Sequence, residues 1–523
     1  MTRPLIRVAT AALAVGATAL ALTGCATGGS SADSSEPLVI GTTDAIVSLD
    51  PAGAWDRGSF TPQNQIYQHL LSYEPGNTTP VPEAAESCDF DDATTYSCTV
   101  KKGLKFSNGH DLTASDVVFS FERILKINDA SGPAPLLSGI DSIEKKGELG
   151  VVFHLKTAND QTFPYVLSSM GGPIVDEQVF PADKLLADAK AIGSGPYAIS
   201  DYSKKGLLSL TANTHYDGTA PKTKNVVLKA YADSSNLKLD IQKEGIDIAY
   251  RSLTSTDVAD LEKDSKLQVV SGPGGSVRFL VFNKDAQPGA DDAQKLAIRQ
   301  AVATLIDRDD IAENVFKGTY APAYSLVLDG QNGATKTFAD LYGAKPSVST
   351  AKQILADAGV STPVTLPIQY TSDHYGPDSS SEYATIKSQL EESGLFTVDL
   401  QSTEWTSYVK QREDYPAYQL GFFPDYPDPD NFLRSGYSST GGSVVNGLTS
   451  PEIDAAIEKE ATAADPAERT KDIEAVQELV AKSAGIIPLL QGQETVVAVK
   501  GVTGLKDTLD ATYKFRFAAL ARG

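Results

Sequence analysis

Short apolar runs alternate with helical stretches along most of this chain, and that alternation limits the fold more than any other feature. "PLVIGT" (Pro37–Thr42), "VVFHLK" (Val151–Lys156), "VRFLVFN" (Val277–Asn283) and "VTLPIQYT" (Val364–Thr371) have the length and the β-branched or aromatic content of strands. Between them, "LTASDVVFSFERIL" opens on a Thr113/Asp116 capping box and places Val117, Val118, Phe121, Ile124 and Leu125 along one face. "DDAQKLAIRQAVATLIDRDDI" has Asp291 and Asp292 at its start and an apolar stripe of Leu296, Ile298, Ala301, Val302, Leu305 and Ile306. Ser450-Pro451 and Asp465-Pro466 each read as an N-cap followed by proline at the first helical position. The pattern predicts an α/β fold. Gly272, Gly274 and Gly275, just before "VRFLVFN", allow a close backbone approach, either to a bound molecule or simply to a turn. The last strands are expected in "ETVVAVKG" and "YKFRFAAL".

The N-terminus reads as an export signal. Arg3 and Arg7 precede an apolar run, Val8–Leu22, that is too short for a comfortable membrane span, and it ends in Leu22-Thr23-Gly24-Cys25. Small residues before a cysteine resemble the bacterial lipobox; a plain signal peptide with an incidental cysteine is the other reading. Residues 1–24 are thus expected to be a lipoprotein signal peptide and residues 25–36 a flexible Gly/Ser-rich tether. Cys25 would then be lipidated and hold an exported body on the outer face of the cytoplasmic membrane. The 45 Lys and Arg against 67 Asp and Glu, net −22, exclude a basic face for nucleic acid. In an exported chain the two remaining cysteines, Cys88 and Cys98, are expected to pair. The alternative is a metal site, but no nearby histidine completes a ligand set. About 500 residues beyond the leader exceed one hydrophobic core and predict two or three domains.

Catalytic signatures fail on inspection. The five histidines form no HExxH, and no G-x-S-x-G elbow occurs, with Ser438 in "GYSSTG" off by one position. "GQNGATKT" has Thr335 where a phosphate loop needs glycine before the lysine. The aspartates near residue 428 miss the calcium-loop spacing. Neither a metal nor another cofactor is expected, nor catalytic residues. A carboxylate pair acting as in a glycosidase stays open, with nothing to select a pair.

One stretch does demand an explanation. In "LGFFPDYPDPDNFL" an apolar run leads into Asp425, Asp428 and Asp430, spaced by Pro424, Pro427 and Pro429. Proline fixes φ and lacks an N–H, so this is a stiff acidic loop at the end of a strand.

Several segments together resemble family 5 of the bacterial extracellular solute-binding proteins, the receptors of peptide-importing ABC transporters. They are "LDPAGAWD…IYQHLLSYE", "LKFSNGHDLTASDVVFSFERI", "GSGPYAI", "HYDGTAPKTKNVVL", "GGSVRFLVFN", "LAIRQAVATLIDRDDIAENVFKGTYAPA" and "DYPDPDNFL", in the family's order. The resemblance implies a two-lobed fold of the type II periplasmic-binding kind, with an extra α/β subdomain in lobe one. Carried onto this chain, lobe one is 37–60, 191–280 and 497–523, the inserted subdomain 61–190, and lobe two 281–496. Crossovers are expected near Val281–Lys284 and Gln493–Ala498.

It further implies a non-enzymatic monomer that closes on an oligopeptide and delivers it to a permease driven by a separate ATPase. Asp425 matches the family aspartate that meets the peptide amine, and Gly421, Phe422 and Phe423 would offer backbone partners. Trp405 matches a tryptophan that lines the ligand pocket in family members; core packing is the alternative. Arg412 sits where some oligopeptide receptors carry an arginine near the peptide carboxylate; a solvated surface arginine is the alternative. One departure stands out: the segment "SDHYGPDSSSEYATIK" lacks the arginine with which dipeptide-selective relatives clamp the carboxylate. Other solutes on the same fold (a nickel chelate, an oligosaccharide, a signalling peptide) and a secreted hydrolase remain alternatives.

Overall fold

Local signals place the helices where they are read. Thr113 and Asp116 exchange cap hydrogen bonds at the start of helix Ala114–Ile127, and Asp291 accepts the Gln294 amide at the start of helix Asp292–Leu305. Ser450 and Asp465 cap helices that begin at Pro451 and Pro466. The computed structural model describes residues 36–203, 206–251, 253–440, 444 and 448–523; the expected signal peptide and the lipidation of Cys25 lie outside the described residues. No helix among the described residues is long and apolar enough to cross a membrane.

Eleven strands form one mixed sheet. In chain order they are β1 (Leu38–Thr42), β2 (Tyr197–Ser203), β3 (Leu207–Ala212), β4 (Asn225–Ala230), β5 (Ile248–Tyr250) and β6 (Leu267–Phe282). The chain continues through β7 (Tyr320–Pro322), β8 (Val364–Thr371), β9 (Phe396–Thr403), β10 (Ala417–Phe422) and β11 (Ile486–Val499). Their spatial order is β9-β8-β10-β6-β11-β5-β1-β4-β3-β2, with β7 on β11. β1 runs parallel to β4 and β5, and β8 parallel to β9 and β10, the pairings that require crossover connections.

Two strands are much longer than the rest. β6 has 16 residues and β11 has 14, and they run antiparallel from Leu267↔Val499 to Val281↔Ile486. β5 pairs with the end of β11, whereas β10 pairs with the end of β6, so this ribbon carries the sheet from one half to the other. Each half buries its own apolar set. Leu280, Phe282, Ile298, Val302 and Leu366 share one core; Leu38, Ile40, Leu228 and Ile248 share another.

Two expectations are refined here. Gly272, Gly274 and Gly275 do allow a close backbone approach, but to a neighbouring strand and not at a turn; they lie inside β6. A Cβ on Gly274 would fall 2.4 Å from the Gly492 carbonyl oxygen, and one on Gly492 would fall 2.2 Å from Ser276 Oγ. Glycine is required because the two ribbon strands approach this closely, and pairing is interrupted between Pro273 and Val277. The second correction is "YKFRFAAL", which holds no strand but a single 3₁₀ turn at Phe517–Ala519. Its alternating aromatics are buried by packing rather than pairing: Phe515 stacks on Tyr250 with centroids 4.0 Å apart and meets Phe517 edge-on.

A separate four-stranded antiparallel sheet (Ala85–Asp92, Thr95–Val100, Ile140–Lys146 and Gly150–Leu155) packs beneath helix Ala114–Ile127 around Phe106, Phe121 and Phe153. A disulfide joins Cys88 and Cys98, which face each other in register on the first two strands.

Candidate functional site

The interruption in the β6–β11 ribbon opens beside a cavity of about 320 Å³. Its wall takes Ser276 from β6, Gly492, Gln493 and Glu494 from β11, Arg57 and Arg251 from one half of the sheet, and Phe316, Tyr320, Tyr375 and Phe423 from the other. A cleft lined from both halves, with apolar rings and a few fixed charges, has the make-up of a small-ligand site.

Each wall is held by charge. Arg57, the first residue of helix Arg57–Ile66, pairs with Glu494 and donates to the Tyr250 hydroxyl at 3.3 Å. Its guanidinium lies 3.9 Å from the Tyr513 ring centroid. Opposite, Arg278 points off β6 and meets the buried Glu382 carboxylate through Nε at 3.1 Å and Nη2 at 2.5 Å. It also donates to the Tyr375 carbonyl and to Ser379 Oγ, both at 3.0 Å. The segment read as lacking a carboxylate clamp is therefore tied down by an arginine from elsewhere in the chain, each of whose three nitrogens donates to it.

The strand that ends in the proline-rich loop lies along this wall. Gly421 and Phe422 pair with Arg278 and Val277 across β10 and β6, and the Tyr375 hydroxyl donates to the Gly421 carbonyl at 3.3 Å. A Cβ on Gly421 would come within 3.0 Å of the Tyr375 ring. Phe422 turns away and meets Phe432 edge-on, whereas Phe423 is 49% exposed and lines the cavity.

The three aspartates of the loop have different surroundings. Asp428 is fully buried, caps helix Pro429–Tyr437 and receives both Arg469 terminal nitrogens at 2.9 and 2.7 Å. Asp430 accepts Arg434 Nε at 3.2 Å. Glu460, 3.2 Å from Arg469, completes this buried group; burial and then the neighbouring Asp430 push its carboxyl upward. Asp425 has no such partner among the described residues. Its carboxylate accepts Trp55 Nε1 at 2.8 Å and Asn431 Nδ2 at 3.4 Å, both neutral donors. Burial pushes the Asp425 carboxyl upward, and those two hydrogen bonds oppose this only in part.

Trp55 lies in the loop before helix Arg57–Ile66 and Asp425 in the loop after β10, 370 residues apart. Each lies two residues from a residue that lines the cavity, Arg57 and Phe423 respectively.

Trp405 and Arg412 lie behind the wall. Trp405 stacks on His374 with centroids 3.6 Å apart and meets the Tyr375 ring edge-on; Tyr375, not Trp405, lines the cavity. Arg412 lies over the Tyr418 ring at 5.9 Å and 3.9 Å from Glu413, and does not line the cavity either. Trp55, Arg57, Tyr375 and Glu494 carry no local sequence signal for the site. No group of His, Cys, Asp and Glu side chains able to hold a metal ion occurs among the described residues.

A two-half sheet joined by a two-stranded ribbon, with a cleft lined from both sides, defines the class of bilobal solute-binding proteins. The family model described as bacterial extracellular solute-binding proteins, family 5 Middle, matches residues 79–444, and the chain belongs to that family. Among curated relatives, the probable D,D-dipeptide-binding periplasmic protein DdpA of Escherichia coli (strain K12) is 26% identical over 486 residues, 89% of this chain and 90% of its own length. Among solved structures, HbpA2 from Haemophilus parasuis matches with a TM-score of 0.81 at 21% identity, covering 93% of this chain and all of that one. The oligopeptide-binding protein AppA from Bacillus subtilis, in complex with a nonapeptide, matches with a TM-score of 0.70 at 21% identity, covering 93% of this chain and 99% of that one.

Proposed function

We propose that this chain is a non-catalytic receptor that captures oligopeptides between two lobes and passes them to an ABC permease. Lobe one is built on β1–β5 and lobe two on β8–β10, and the β6–β11 ribbon joins them near the glycine contact. A peptide lies extended in the cleft, its backbone alongside Gly421, Phe422 and Phe423 and its amine on Asp425. Tyr375 and Phe423 bound the space for its first side chains, with Trp405 stiffening Tyr375 from behind. Arg412 supports the wall through Tyr418 instead of reaching for the peptide carboxylate. A lipid on Cys25 would keep the receptor beside its permease.

The observation that carries this reading is the state of Asp425. It is a partly buried anion with only neutral donors, beside a cleft that two lobes can close, and a peptide ammonium is the cation it lacks. The names of DdpA and AppA, one a dipeptide-binding protein and one solved with a nonapeptide, support the same ligand class.

Native mass spectrometry before and after addition of a random peptide pool tests it. Bound peptides are the expected result; a receptor that carries a metal chelate or a sugar and ignores the pool would overturn it.

A further inference from the structure

The charges that line the cleft do not balance once their partners are counted. Four charged residues line it: Arg57, Arg251, Asp378 and Glu494. Arg57 pairs with Glu494, and Arg251 gives Nη1 to Asp44 at 2.8 Å. Asp378 is left over. Among the described residues its carboxylate has neither a hydrogen bond nor an ion pair. Arg278, which holds the same segment, is taken up by Glu382, Ser379 and the Tyr375 carbonyl and does not line the cavity.

The place of Asp378 in the fold makes this unusual. It is the N-cap of helix Ser379–Glu392, where an aspartate ordinarily turns back to accept amides of its own helix. Asp233, Asp291 and Asp465 do so at the helices that follow them. Asp378 has α-helical backbone angles, φ −70° and ψ −13°, and accepts none. A half-buried carboxylate in a cavity wall, not used by its own helix, is free to take a cation from the cavity. Phe316, Tyr320, Tyr375 and Phe423 line the same space, and such rings suit the methylene stem of a long basic side chain.

We propose that Asp378 is a specificity-determining residue, which receives the ammonium or guanidinium of a lysine or arginine near the amine end of the peptide. This preference rests on the reading of the cleft as a peptide site and sharpens it. Asp425 takes the amine that every peptide has, and Asp378 takes a second cation that only some carry. Phe423, two residues from Asp425, lines the same cavity as Asp378, which puts that side chain within the first few positions.

Titration calorimetry of the whole protein with four tetrapeptides tests this. They are Ala-Lys-Ala-Ala and Ala-Ala-Lys-Ala, each against the same peptide with neutral norleucine in place of lysine. One of the lysine peptides is expected to bind about fivefold or more tightly than its norleucine counterpart, and less so at high salt. Asp378→Asn, which keeps a good N-cap residue and removes the charge, is expected to bind that pair alike. Asp378→Glu is expected to restore part of the preference. Binding of all four peptides with no difference within either pair, or a lysine preference that survives in Asp378→Asn, overturns the role of Asp378 and leaves the peptide reading standing. No binding of any of the four overturns both.

Discussion

Asp425 and Asp428 are three positions apart in one stiff loop, and the protein treats them in opposite ways. Asp428 is buried, caps a helix and is neutralised by both terminal nitrogens of Arg469. Asp425 is less deeply buried and receives only Trp55 and Asn431. Asp428, which builds the loop, is paired at once; Asp425 is held in place and left without a cation, which is what the proposed amine site requires. The prolines serve both, since a backbone fixed for Asp428 fixes Asp425 too.

The comparison can be broken from either side. The largest effect is expected at the paired end: Arg469→Met leaves Asp428 buried and uncompensated, and equilibrium urea unfolding should show a loss of about 3–5 kcal/mol. At the unpaired end, Asp425→Asn should cost peptide affinity of about 1.5–3 kcal/mol by titration calorimetry with no loss of stability.

The pH dependence separates the two further. The folded Asp425 carboxyl titrates above its unfolded value, so its ionised form penalises the free protein above the folded pKa, and the penalty fades as the pH falls below the unfolded pKa. Asp425→Asn should therefore be slightly more stable than the unaltered protein at neutral pH, with the gain lost in acid. Peptide affinity of the unaltered protein should drop as the pH falls through the raised carboxyl value, while the variant stays flat. The smallest effect is expected for Trp55→Phe, which removes one hydrogen bond to Asp425 and should change peptide affinity by about 0.5–1.5 kcal/mol.

What was legible in the sequence was what neighbours in the chain determine. The Thr113/Asp116 box, the Asp291 cap and the proline-aspartate loop each act within a few residues, and each is found where it was read. Asp425 stood out because its flanking prolines rule out regular structure. Its partner Trp55 did not, since nothing local links a tryptophan to an aspartate 370 positions away. Arg278 and Glu382, 104 residues apart, are hidden for the same reason. The glycines of β6 were read as allowing close backbone approach, and they do; what stayed hidden was the partner, the Gly492 backbone, which comes from a strand more than 200 residues on. Trp405 and Arg412 were read from their position in the family pattern, each with a structural alternative beside it, whereas Tyr375, which lines the cavity, carried no such signal.

The claim at the centre of the account is that Asp425 receives the peptide amine. Titrating one peptide in free and N-acetylated form into the unaltered protein and into Asp425→Asn tests it most directly. The free form should bind the unaltered protein about tenfold or more tightly than the acetylated form, and the variant should bind both alike. Equal affinity of the two forms for the unaltered protein would contradict it.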